Sequence, residues 1–120
     1  MRHIVLFDPD GTTTMRKIEK QGINPSDLYV WDNIPTHLPL LRLLSDRYKF
    51  NVIEQDLFKE KIDMKFDEIL SNPPYDDGMY VKTMKLLPNL LKEDGKFQFL
   101  VPNKILIPYT KGATFAKKNL

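Results

Sequence analysis

The sequence of 120 residues predicts a doubly wound, mainly parallel α/β sheet. Three observations carry that expectation. Short β-rich apolar runs alternate with longer helical stretches, a polar residue closes each run, and the length holds about four crossover units of roughly 30 residues each plus a closing strand. About five strands with helices on both faces are expected.

His3-Ile-Val-Leu-Phe7 reads as a buried strand broken by Asp8-Pro-Asp-Gly11. Thr13 or Thr14 is placed to cap a helix through Met15 and Ile18, with Gly22 as its stop. Leu28-Tyr-Val-Trp31 is a second strand ending at Asp32, and Pro35 opens a helix with Leu40, Leu41, Leu43 and Leu44 on its apolar face. Phe50 to Ile53 is a third strand, followed by Glu54-Gln55-Asp56. The crossover from Leu57 to Lys65 is too short and charged for a clear helix. Phe66 to Leu70 is a fourth strand ending at Ser71-Asn72. Met79, Val81, Met84, Leu87, Leu90 and Leu91 then give a helix an inner face, with Pro88 as a kink. Gly95 restarts the chain into a fifth strand, Phe97 to Val101, ending at Pro102-Asn103.

Composition narrows the chemistry. Without cysteine there is no disulfide framework, no thiolate nucleophile and no sulfur-ligated zinc, and His3 and His37 are too few for a histidine-rich metal site. No metal is expected. No apolar run approaches the ~20 residues of a membrane span, and Met1-Arg2-His3 leads straight into a strand-like segment, unlike a signal peptide. The expectation is a cytoplasmic protein with no membrane partner. The net charge of +2 divides unevenly: residues 104–120 carry Lys104, Lys111, Lys117 and Lys118 with no acid, and the rest carries −2. Residues 1–103 therefore read as the folded core and 104–120 as a lysine-rich terminal segment, whose ordinary role is a solvated end.

Polar residues fall at the carboxyl end of every expected strand, where open α/β sheets bind ligands near the reversal of strand order. Each acid taken singly is ordinarily a helix cap or turn former. In succession they suggest a nucleotide-like ligand lying across several strand ends. Asn72-Pro73-Pro74-Tyr75 is the sharpest local signal. As structure alone, the two prolines stop a strand and fix the direction of the loop. As chemistry, the quartet suits methylation of an exocyclic amine, whose lone pair is delocalised into its ring. The Asn72 side-chain oxygen and the Pro73 carbonyl can draw the amine hydrogens out of plane, and Tyr75 can stack on the base. Prolines at both central positions keep that frame rigid, so the work is positioning and electrostatics.

Ile69-Leu-Ser-Asn-Pro-Pro-Tyr75 before an amphipathic helix, and Gly95-Lys-Phe-Gln-Phe-Leu-Val-Pro-Asn103 with Lys104, resemble the amino-methyltransferase group of class I S-adenosylmethionine-dependent methyltransferases. Within it the likeness is to N6-adenine DNA methyltransferases of restriction–modification type, over roughly residues 3–107. The resemblance implies a Rossmann-like sheet lacking the family's last two strands, S-adenosyl-L-methionine as cofactor and DNA as partner. It gives Asn72, Pro73, Pro74 and Tyr75 the target-amine roles. Asp8, Pro9 and Gly11 become the first-strand loop at the methionine end of the cofactor. Asp32 becomes the acceptor of both ribose hydroxyls, Asp56 the contact to the adenine amine, and Leu57 or Phe58 the flank of that ring. Asp8, Asp32 and Asp56 are evenly spaced, which is consistent with successive strand–helix units without being diagnostic of them.

Two departures stand out. Thr12 and Thr14 occupy positions where the family carries glycines, with Gly11 one residue early, which adds β-branched bulk near the cofactor. The missing strands leave a fifth-strand edge open to a second copy or a partner subunit. Release-factor glutamine and some RNA-base methyltransferases share the Asn-Pro-Pro-Tyr motif, so those substrates, and a non-catalytic subunit of the same fold, remain alternatives.

Overall fold

The computed structural model describes residues 1–72, 77–100 and 106–110. The strands are β1 His3–Leu6, β2 Leu28–Trp31, β3 Asn51–Val52, β4 Phe66–Ser71, β5 Leu91–Leu100 and β6 Leu106–Thr110. The helices are α1 Thr12–Gln21, α2 Leu38–Tyr48 and α3 Asp77–Leu90. They form one sheet of order β3-β2-β1-β4-β5-β6, parallel from β3 to β5, with β6 antiparallel against β5.

The expected five strands are therefore joined by a sixth. The sequence reading ends the sheet before residue 104, where Pro108 interrupts the apolar pattern of Ile105-Leu-Ile107. An edge strand tolerates proline, because one side of its backbone has no ladder to satisfy. Pro108 lies opposite Gln98 in that pair.

Alternation along β1 explains the layers. Val5 enters one core with Leu28, Val30, Leu41 and Phe50, over which Met15 and Ile18 of α1 and Leu44 of α2 pack. Ile4 and Leu6 enter the other core with Trp31, Ile69, Phe97, Phe99 and Leu86, Leu87 and Leu90 of α3. Helices thus cover both faces. The segment between β3 and β4 contains no helix, as its length and charge predict, and packs Ile53 and Leu57 under the second face.

Several boundaries move for local reasons. β1 stops one residue early because Phe7 adopts a left-handed φ of 66°, turning the chain out of the sheet. Pro35 opens a short 3₁₀ turn, Pro35–His37, and α2 begins only at Leu38. Gly22 does end α1, with φ 67°. Leu91, expected on the helix, begins β5 opposite Phe66. The ladder then slips before Glu68 pairs with Lys96, so Gly95 lies in an irregularity pressed against Leu91 and the Asp67 carbonyl.

Candidate active site at the strand ends

Strand order reverses between β1 and β4, so the carboxyl ends of these strands border the crevice where this architecture binds ligands. Asn72 follows β4 directly, and its N–H donates to the Leu6 carbonyl at 3.0 Å, fixing it to the end of β1. Pro73, Pro74 and Tyr75 lie outside the described residues.

Asp8 follows β1 and is 2% exposed. Its Oδ1 accepts the Thr13 N–H at 3.2 Å, and its Oδ2 accepts the Thr14 N–H at 2.7 Å and the Thr14 hydroxyl at 2.6 Å. Burial pushes the carboxyl above its ordinary range, and these three bonds oppose that shift without cancelling it. Asp8 thus caps α1 from the end of β1, and the expected caps Thr13 and Thr14 are the groups being capped. Gly11 supplies the left-handed N-cap with φ 74°, and the exposed Pro9 lies in the turn closed by the Gly11 N–H and the Asp8 carbonyl. The side chain of Thr14 is wholly buried against Asp8, so its bulk does not project from the loop.

Asp32, at the end of β2, is 7% exposed. Its Oδ1 accepts the Ile34 N–H at 2.9 Å and the His37 Nδ1–H at 2.7 Å, while Oδ2 accepts no hydrogen bond from the described residues. The carboxylate fixes the hydrogen on Nδ1 of that ring, since it can only accept. His37 is the side chain at this site that apolar patterning does not reveal. The signal was the Pro35 turn, which swings the histidine back onto the acid that ends the strand.

Asp56 lies across a narrow cleft of about 90 Å³ lined by Trp31, Asp32, Asn33, Pro35, Leu38, Glu54, Gln55 and Asp56. It is exposed, its Oδ1 accepts the Phe58 N–H at 3.0 Å, and its carbonyl accepts the N–H groups of Lys59 and Glu60. The Trp31 indole donates to the Gln55 carbonyl at 2.8 Å and closes the floor. Small-ligand pockets start near ~300 Å³, so this cleft accommodates one end of a nucleoside-sized molecule.

Leu57 and Phe58 divide their roles. Leu57 is buried in the core, whereas Phe58 is half-buried and packs edge-on against Trp31 at 5.2 Å and near Phe7 at 6.3 Å. Phe58 is therefore the residue able to flank a ring at the strand ends. Among the described residues no three His, Asp or Glu side chains cluster as a metal site, and no helix is long and apolar enough to cross a membrane.

No protein-family model matches the sequence, and no curated protein matches it. Solved structures do match its shape. The glycopeptide N-methyltransferase MtfA, complexed with S-adenosyl-L-homocysteine, superposes with a TM-score of 0.66 at 14% identity over 82% of this chain. TrmN from Thermus thermophilus gives 0.63 at 23% identity over 82% of this chain. A chain in complex with the Haloferax volcanii Trm112 methyltransferase activator gives 0.61 at 17% identity, again over 82%. This chain spans 44%, 32% and 43% of their respective lengths. What it shares with them is the methyltransferase fold, a doubly wound α/β sheet.

Proposed function

We infer that the chain carries the catalytic site of an S-adenosylmethionine-dependent N-methyltransferase acting on the N6 amine of adenine in DNA. The observation that carries this is the placement of Asn72, the first residue of Asn-Pro-Pro-Tyr, at the reversal of strand order, with a buried carboxylate at the end of β2. The donor set suits the cofactor: Asp32 Oδ2 accepts from no described residue and would take the ribose hydroxyls, Asp56 shares its cleft, and Phe58 offers a ring. When bound, the cofactor supplies an electrophilic methyl group.

The chain supplies orientation and polarity. Asp32, held by His37 and the Ile34 N–H, presents a fixed acceptor. Asn72 and the Pro73 carbonyl accept from the target amine and localise its lone pair toward the methyl carbon. With the cofactor bound, Asp32 and Asp56 would hold it while Asn72 and the Pro73 carbonyl hold the amine toward its methyl group, and the amine proton would pass to water. Methylation of DNA, RNA and glutamine-containing peptide separates the substrate classes, and transfer to peptide alone contradicts the adenine reading. Asn72→Ala should abolish transfer while leaving cofactor affinity unchanged.

A non-catalytic subunit is the second reading, favoured by the neighbour found in complex with an activator protein. In that case a partner covers an open edge of the sheet. Because β6 pairs with β5, the candidate edge moves from β5 to β6 or to the two-residue β3. Cofactor binding without transfer to any substrate, together with a stable partner complex, supports that reading.

A further inference from the structure

We propose that the groove between residues 57–61 and α3 holds the sugar–phosphate backbone of a nucleic-acid strand. This deepens the functional reading above, on which it rests only for the claim that the strand is the methyl acceptor. The groove has a volume of about 430 Å³ and is lined by Lys59, Lys61, Lys82 and Lys85 against a single acid, Glu60. All four lysines are exposed, and none forms an ion pair with another described residue. The charge of the chain outside residues 104–120 is −2, so this concentration of cations departs from the rest of the molecule.

The helix side of the groove repeats at helical spacing. Lys82, Lys85 and Asn89 fall on one face of α3, spanning about 10 Å at 1.5 Å per residue. A row of donors of that length faces successive phosphates of one strand. Phe58 joins the groove to the strand ends: Lys82 Nζ lies 5.8 Å from its ring centroid, and the same ring packs on Trp31. A strand lying in the groove thus has one end beside the cleft that Asp32 and Asp56 share. Four neighbouring ammonium groups without carboxylate partners are relieved by an anion, and a run of phosphates supplies regularly spaced ones.

Fluorescence anisotropy with labelled 12-residue adenine-containing oligonucleotides tests this between 25 and 200 mM salt. The probes are single-stranded DNA, duplex DNA, RNA, an uncharged peptide nucleic acid of the same sequence, and polyglutamate. Binding to a phosphate-bearing probe is expected, with a slope of log affinity on log salt near −2 for single strands. K82Q/K85Q and K59Q/K61Q should each cut that slope by about 1 or more and weaken binding on the order of tenfold at 0.1 M salt. K20Q/K49Q, exposed lysines elsewhere, should leave both unchanged. The DNA and RNA arms identify which phosphodiester is preferred. Equal binding of the peptide nucleic acid or of polyglutamate, or groove variants indistinguishable from the control, overturns the proposal. Calorimetry with S-adenosylmethionine on the same variants separates the two readings. Intact cofactor binding without oligonucleotide binding removes only the groove, and the reverse removes only the methyl-transfer reading.

Discussion

Asp8 and Asp32 are both buried acids at strand ends, yet they do different work. Asp8 is saturated by the first turn of α1, so Asp8→Ala leaves two N–H groups and a hydroxyl without their acceptor. Its expected cost is about 1–2 kcal/mol, read as a lower urea midpoint with an unchanged m-value. Asp32 keeps one oxygen free of the described residues and owes its orientation to His37. His37→Ala should therefore weaken S-adenosylmethionine binding several-fold while leaving the urea midpoint nearly unchanged, a split that titration calorimetry and unfolding together resolve. The strand-end acids were legible because each follows a short apolar run. His37 was not, because only the 3₁₀ turn opened by Pro35 makes residues five apart meet.

Glu68 belongs at the residue scale too, at a different place in the sheet. Burial raises its carboxyl, but the Lys17 ammonium at 2.7 Å, aided by His3 at 3.4 Å, overrides burial and holds it below the ordinary 4.5. A depressed folded value means that this contribution is fully present above about pH 4.5 and is lost as pH falls through the folded value. Glu68→Gln should flatten the acid limb of the stability profile between pH 5 and 3, measured by urea midpoints. Asp8, raised by burial, has the opposite sign: its contribution falls as pH rises from 3.8 through its folded value.

At the scale of elements, packing adjusted what pattern had proposed. The apolar spacing of α3 runs through Leu91, which the sheet nevertheless takes as the start of β5 because it fits opposite Phe66. Periodicity cannot arbitrate between two buried environments for one leucine. Gly95 then absorbs the resulting slip. A Cβ there comes within 2.6 Å of Leu91 Cδ1 and 3.1 Å of the Asp67 carbonyl oxygen. Gly95→Val should destabilise by about 1–3 kcal/mol, seen as a lower thermal midpoint. Gly95→Ala should cost less, since the Leu91 tip can move and the carbonyl need shift only slightly.

For the whole molecule, the topology was legible in outline because crossover lengths and handedness leave few ways to wind five strands. The sixth strand was hidden by Pro108, a residue that argues against a strand everywhere except at an edge. β6 pairs with β5 from Lys96 to Leu100, a stretch that includes the buried Phe97 and Phe99. Ending the chain at residue 103 should thus uncover a long parallel strand and promote association, visible as concentration-dependent light scattering absent from the full 120 residues. The even spacing of Asp8, Asp32 and Asp56 acquires its meaning at this scale: successive strands deliver one acid each to the same edge of the sheet.

The central claim is that this edge holds S-adenosylmethionine through Asp32. Isothermal titration of the 120-residue chain with the cofactor, alongside Asp32→Asn of matched secondary structure by circular dichroism, tests it most directly. Saturable one-to-one binding that weakens at least about tenfold in the variant is predicted, as loss of a charge-assisted acceptor requires. A flat titration of the parent chain at millimolar cofactor, or equal binding by Asp32→Asn, contradicts it.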